Sequence, residues 1–375
     1  METKITRREA LKCSALLCSS LVLGNFNGFQ ILSSRDNDDF KVEAKYYEKL
    51  PNKRIRCKLC PKECEIDDME RGFCGVKENI DGKYYTFVHS KPCTVNIDPI
   101  EKKPFSHFLP GTTALSIATV GCNMDCKYCQ NWQISQLRPE QCQYYFIPPG
   151  EMVDISLKNK SPSIAHTYTE PVIFYEYMYD IGVEAKKKGI KNVMISNGYI
   201  NPEPMRELCK YLDAVKIDLK AFTEEFYKDV CVGELKPVLD TFELLKEEGM
   251  WFEIVYLVVP TLNDSKGEIS QMSKWIMDKL GPDVPVHFSR FHPQYKLKNL
   301  PPTPLKTLEL LRDTAMNEGL NYVYIGNVPG HEAENTFCPK CRNIVVERRG
   351  YLIRSIKIKN GKCEFCGNKI PGVWS

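Results

Sequence analysis

From Thr112 onward the chain alternates between two kinds of segment, and this alternation limits the fold more than any other feature. Thr112–Val120, Ser163–Tyr168, Asn192–Ser196, Ala214–Leu219, Phe252–Val259 and Val286–Phe291 are short apolar runs with the length and composition of buried strands. Between them, Met152–Lys158, Val172–Lys188, Pro204–Leu212, Thr223–Glu248, Gly267–Leu280 and Pro304–Glu318 read as helices, several ending at Gly189, Gly249, Gly281 or Gly319. Tyr322–Ile325 adds a last strand. Strand–helix repeats predict a parallel sheet with crossovers, and six of about thirty residues each suit a partial (β/α)6, TIM-like barrel. A flat doubly wound sheet uses the same repeats. In both, chemistry gathers at the C-terminal ends of the strands, and chemistry-bearing residues do stand there: Cys122, Glu170, Asn197, Lys220 and His292.

The chain holds 17 cysteines in 375 residues, and most fall into three tight groups. A chain this long does not need disulfides to fold. Gaps of two and three residues suit a metal, because one loop then aims several sulfurs at one point. The middle group, Cys122-x3-Cys126-x2-Cys129, supplies three thiolates from a single loop after the first strand. An iron–sulfur cubane has four irons, so one is left without a protein ligand. That iron can chelate the amino and carboxylate groups of S-adenosylmethionine (SAM) and pass one electron to its sulfonium, giving methionine and a 5′-deoxyadenosyl radical. Zinc is the competing occupant, but no fourth cysteine lies nearby.

Cys338-x2-Cys341 and Cys363-x2-Cys366, with a hairpin-like stretch around Gly350, have zinc-ribbon spacing, which iron can also occupy. Arg348, Arg349, Arg354, Lys357, Lys359 and Lys362 decorate it; they read as a solvated face around a structural metal, with RNA or an acidic protein as the alternative contact. Cys57-x2-Cys60-x3-Cys64-x9-Cys74 can hold zinc or an auxiliary cluster; its first three cysteines are too close in sequence to pair comfortably as disulfides. Cys13, Cys18, Cys93, Cys142, Cys209 and Cys231 are scattered and read as small buried hydrophobes.

A net charge of +3 gives no push toward nucleic acid or membrane. Thr6-Arg7-Arg8-Glu9-Ala10-Leu11-Lys12 precedes a short apolar run ending at Gly24, too short to span a membrane. The paired arginines resemble a twin-arginine signal, which exports proteins already folded around a cofactor; the alternative is an uncleaved leader on a cytoplasmic protein. Four parts are expected: leader and linker (1–40), a cysteine-rich segment (41–109), the core (110–325) and the ribbon-like end (326–375).

The sequence resembles the radical SAM superfamily, on its pyruvate formate-lyase activating enzyme branch, and more closely the AmmeMemoRadiSam system radical SAM enzymes. The closer match rests on Cys57-Lys58-Leu59-Cys60-Pro61 with Cys64 and Cys74, Asp98-Pro99-Ile100-Glu101-Lys102-Lys103-Pro104, His107-Phe108-Leu109-Pro110-Gly111, Cys129-Gln130-Asn131-Trp132, Tyr168-Thr169-Glu170-Pro171, Gly326-Asn327-Val328-Pro329-Gly330-His331 and Cys338-Pro339-Lys340-Cys341. The resemblance implies a [4Fe–4S] cluster on Cys122, Cys126 and Cys129, with Tyr128 near the adenine of SAM. Thr169-Glu170-Pro171 stands where relatives carry a Gly-Gly-Glu-like segment that accepts from the SAM amino group; the glycines are missing here. Asn197, Asp218, Lys220 and His292 match positions facing the methionine or ribose. The resemblance also implies a reductant such as flavodoxin or ferredoxin and hydrogen abstraction from an unidentified substrate, a protein or other macromolecule being the candidates. A glycyl-radical activase is the rival enzyme, although the auxiliary cysteines that some activases carry just after the SAM motif are absent from Trp132–Gln141. A non-catalytic metal-binding scaffold is the rival of another class.

Overall fold

Eight strands form the central sheet, and each hydrogen-bonds to its neighbour in sequence. They are β1 (Thr94–Pro99), β2 (Thr113–Ala118), β3 (Ser163–His166), β4 (Lys191–Ser196), β5 (Ala214–Asp218), β6 (Trp251–Val258), β7 (Val286–Arg290) and β8 (Val323–Gly326). From β2 to β8 all neighbours are parallel. The order never reverses, so there is no topological switch point, and a doubly wound sheet is ruled out. The structure is a computed structural model; it describes residues 40–375 and the backbone of a two-residue strand, Ile31–Leu32. The leader, with Arg7, Arg8, Cys13 and Cys18, lies outside the described residues.

The parallel strands are buried on both faces, which is why they read as continuous apolar runs. The sequence reading misses β1. This strand runs antiparallel to β2, from Thr94 opposite Ala118 to Pro99 opposite Thr113. Polar and apolar residues alternate along it, most are half-exposed and it ends in proline, as suits an edge strand.

The connecting helices include α1 (Pro149–Lys158), α2 (Tyr175–Lys188), α3 (Pro202–Cys209), α4 (Leu235–Glu247), α5 (Lys266–Lys279) and α6 (Leu305–Asn317). One expected helix, Thr223–Glu248, is broken. A short turn at Glu224–Phe226 runs into a wide turn at Tyr227–Cys231, Val232 adopts a left-handed φ of 60°, and α4 begins only at Leu235. The break frees two carbonyls. That of Val230 accepts from Lys127 N (2.9 Å) and that of Cys231 from Asp125 N (3.0 Å), both on the three-cysteine loop.

The segment before the sheet is built from short antiparallel strands: Tyr47–Lys49, Ile55–Cys57 and Glu65–Ile66 in one group, Val42–Glu43, Lys83–Thr86 and Lys77–Ile80 in another. Its anchor is a buried ion pair. Lys77 Nζ reaches both oxygens of Glu176 on α2 at 2.8 and 2.7 Å, and both side chains are 2% exposed.

After β8 the chain forms a small antiparallel sheet of β9 (Thr336–Phe337), β10 (Ile344–Arg349) and β11 (Leu352–Ile356). His107 fastens it to the core. Its Nδ1 faces Pro371 O at 2.6 Å, and because a carbonyl only accepts, Nδ1 carries the proton. Nε2 then accepts from the Tyr324 hydroxyl at 2.6 Å. Burial keeps this ring neutral, with its pKa lowered to about 4. Arg348, expected on a solvated basic face, is instead buried; it donates to Ser106 O (2.7 Å) and Thr336 Oγ1 (2.8 Å).

Candidate active site

The three-cysteine loop leaves the C-terminal end of β2 through Gly121, where only glycine fits. Its φ is +98°, and an added Cβ would lie 2.6 Å from Val76 Cγ1 and 2.9 Å from Cys74 O. Within the loop, Met124 N donates to Cys122 Sγ (3.4 Å), Cys129 N donates to Cys126 O (3.0 Å), and Cys129 Sγ lies 3.3 Å from Ser135 Oγ. Asn123 ties the loop to the end of β4: it accepts from Asn197 Nδ2 (2.8 Å) and donates to Tyr199 O (2.8 Å). Burial, then the Glu170 carboxylate, holds the metal-free Cys122 thiol well above its ordinary pKa.

Glu170 follows β3 and is 3% exposed. Its Oε1 accepts from Ser196 Oγ (2.6 Å) and Val172 N (3.1 Å), and its Oε2 from Asn197 N (2.8 Å). Burial raises its pKa to about 7 in spite of these donors. The missing glycines before it have a replacement. Tyr168 itself takes a left-handed φ of 65°, rare for a bulky residue. Its backbone carbonyl accepts from Asn131 Nδ2 (2.7 Å), its hydroxyl donates to Asp98, and Lys103 Nζ lies 4.3 Å from its ring centroid. Thr169 spends its hydroxyl on Thr119 O at 2.7 Å.

On β5 and just beyond it, Asp218 accepts from both Lys216 and Lys220, the latter at 3.0 Å. Burial alone would raise the Asp218 pKa, but the two ammonium groups lower it to about 2. Burial opposes charge on Lys220, yet Asp218 and then the Cys126 and Cys231 thiols outweigh it and raise its pKa well above the ordinary value. The site therefore holds two cations against one carboxylate here, within electrostatic reach of Glu170. His292 is exposed in the loop after β7 and makes no hydrogen bond or ion pair.

Sequence reasoning missed Lys216, Asn123 and Cys231. Cys231, taken for a filler, is fully buried, with Sγ 3.5 Å from the hydroxyl of buried Tyr128 and in side-chain contact with Cys126. It stands on the turn that breaks the expected helix, so no cysteine spacing signals it.

A cavity of about 1000 Å³ opens beside Cys122 and Asp125, walled by Cys74, Arg71 and Phe73 of the first segment and by Arg138 and Glu140. The donor set fits a cluster with one iron free of protein: three thiols on one loop, one of them on an open cavity. At the other end of the chain Cys338, Cys341, Cys363 and Cys366 place their sulfurs all within 4.8 Å, with contacts of 3.6 and 3.8 Å. A tetrahedron with Zn–S bonds of about 2.3 Å has an edge of about 3.8 Å. No helix of the described residues is long and apolar enough to cross a membrane.

The profile of the Radical SAM superfamily matches residues 116–272. An uncharacterized protein of Methanocaldococcus jannaschii, MJ0808, is 47% identical over 333 residues, which cover 88% of this chain and 99% of that protein. A pyruvate formate-lyase-activating enzyme of Clostridium pasteurianum is 27% identical over 163 residues, 42% of this chain and 66% of that one. A radical SAM methyltransferase from Sphaerobacter thermophilus superposes with a TM-score of 0.47 at 13% identity, covering 58% of this chain and 67% of that one. With the cysteine loop at the end of β2 inside the matched span, the chain belongs to the radical SAM superfamily of enzymes.

Proposed function

We propose that Cys122, Cys126 and Cys129 hold a [4Fe–4S] cluster at which SAM is cleaved reductively, and that the enzyme abstracts hydrogen from a macromolecular substrate. When bound, the cluster and SAM supply a 5′-deoxyadenosyl radical. The observation that carries this reading is the convergence of the three thiols, Glu170 and Lys220 at the C-terminal edge of one sheet. Glu170, pinned by three donors, keeps its carboxylate fixed for the amino group of SAM. Lys220 has three N–H donors and gives one to Asp218, leaving capacity for a carboxylate. Tyr128, Thr169, Asn197, Asp218 and His292 complete the SAM-facing set by resemblance, with Tyr128 toward the adenine.

The sequential strand order supports a partial (β/α)6 barrel as the core, since crossovers of one hand put every helix on one face and let the sheet curl. The sulfur spacing in the C-terminal ribbon supports zinc there. The open cavity beside Cys122 suits a macromolecular substrate, and flavodoxin or ferredoxin suits the electron supply. A second reading, a glycyl-radical activase, is favoured by the likeness to the C. pasteurianum activating enzyme.

Adding SAM to the reduced, reconstituted protein should change the EPR signal of its cluster. Glu170→Gln should keep the iron but need at least about tenfold more SAM for the same change, because the amide presents N–H groups to donors that now meet oxygen. A cluster signal indifferent to SAM would contradict the proposal.

A further inference from the structure

The four cysteines of the first segment are not used by the proposed chemistry, yet the fold presses them against the loops that carry it. Cys57 N donates to Cys64 O at 2.9 Å, closing a tight knuckle that contains Cys60. Cys74 stands in a turn closed by Gly75 N to Gly72 O (2.9 Å), and Gly75 has a φ of +74°. An added Cβ at Gly72 would lie 2.7 Å from the Tyr84 hydroxyl and 3.9 Å from Cys64 Sγ. Tyr84 is 1% exposed, so the turn that carries Cys74 and the knuckle that carries Cys64 meet on one buried side chain. The four cysteines therefore stand on two turns that face each other, the Cys74 turn closing onto Cys64 of the knuckle.

This knuckle touches three loops at the C-terminal edge of the sheet. Leu59 O and Lys58 O accept from Asn201 N (3.1 Å) and Asn201 Nδ2 (2.8 Å) after β4. Lys62 Nζ donates to Val232 O (2.8 Å), next to Cys231. Cys74 O and Val76 leave room only for glycine at 121. Cys74 and Cys122 line the same cavity.

Spacing separates the two four-cysteine sets. Among the described residues, the ribbon sulfurs form the one group of three or more such ligand atoms all within 4.8 Å of one another. No three of Cys57, Cys60, Cys64 and Cys74 do so. A single tetrahedral ion needs edges of about 3.8 Å, whereas a cubane holds its thiolates at separate irons, farther apart. We infer that Cys57, Cys60, Cys64 and Cys74 bind a second [4Fe–4S] cluster, fully ligated by protein, in the wall of the cavity that serves the SAM site. It is independent of the proposed SAM cluster, and iron counting tells the two apart.

The test uses the full chain, reconstituted anaerobically with iron and sulfide. Cys122→Ala/Cys126→Ala/Cys129→Ala removes the ligands of the first cluster. This variant should keep about four iron per chain and give an EPR signal on reduction, and the wild type should hold about twice that iron. Adding Cys60→Ala and Cys64→Ala should abolish the iron while the ribbon metal stays, which checks folding. If the triple variant binds no iron while the wild type binds four, or binds a second zinc instead, the second cluster is refuted and the SAM cluster stands. If wild type and triple variant bind the same four irons, the second cluster stands and the SAM cluster falls.

Discussion

At single residues, the cysteine loop was legible because ligand spacing is local: three thiols within eight positions need no tertiary knowledge. What surrounds it was not. Cys231 and Asn123 matter through partners 103 and 74 positions away, and no local pattern encodes such pairs. Tyr168 shows the opposite lesson. Missing glycines cast doubt on the backbone before Glu170, but Tyr168 takes the left-handed conformation, held by Asp98 and Asn131. Buried histidines give a residue-scale prediction. His107 and His166 both have pKa values lowered to about 4 by burial. The unfolded chain protonates them near 6.5, so between pH 6.5 and 4 it binds more protons than the fold, and stability falls as pH drops. Glu170, raised to about 7, and Glu101, also raised by burial, work against this above pH 4.5, whereas Asp98, Asp218 and Glu253, all lowered by their partners in spite of burial, add to the loss as pH nears 4. Urea unfolding of the metal-free protein should therefore show a midpoint that falls from pH 6.5 to 4; a flat or rising midpoint would exclude this role for the histidines.

At the scale of elements, the parallel strands β2 to β8 could be read directly, since burial on both faces leaves a continuous apolar run. The edge strand β1 could not, because a short, mostly half-exposed stretch of mixed polarity ending in proline looks like a loop. The Thr223–Glu248 break was also hidden. It is held by tertiary contacts with the cysteine loop, where Lys127 N and Asp125 N donate to the carbonyls of Val230 and Cys231, and no local pattern encodes these. A buried ion pair anchors the first segment, and its contribution is measurable. Lys77→Met strands the Glu176 carboxylate at 2% exposure. Removing one partner of such a pair costs about 3–5 kcal/mol. Denaturant unfolding of the variant should show a loss of that size; a loss under about 1 kcal/mol would mean that water or Lys45 N already satisfies Glu176.

For the whole molecule, two ends of one sheet have separate tasks. The cysteine loop, Glu170 and Lys220 sit at the C-terminal ends of the strands. The ribbon is fastened through His107, Glu253 and Arg348, with Glu253 accepting from Ser106 N (2.9 Å) and His287 Nε2 (2.7 Å) near the strand starts. This separation predicts that the ribbon metal and the cluster can be lost independently. The leader carries its own expectation. If Arg7 and Arg8 direct export in folded form, changing both to lysine should hold the protein in the cytoplasm; an unchanged protein found wholly in the cytoplasm with residues 1–24 retained would rule export out. The most direct measurement for the central claim is product analysis of the reconstituted protein with SAM and dithionite. The wild type should release 5′-deoxyadenosine, and Cys126→Ala should release none while its ribbon metal stays bound. A wild type that carries a reducible cluster yet yields no 5′-deoxyadenosine, with or without cell extract as a source of substrate, would contradict the account.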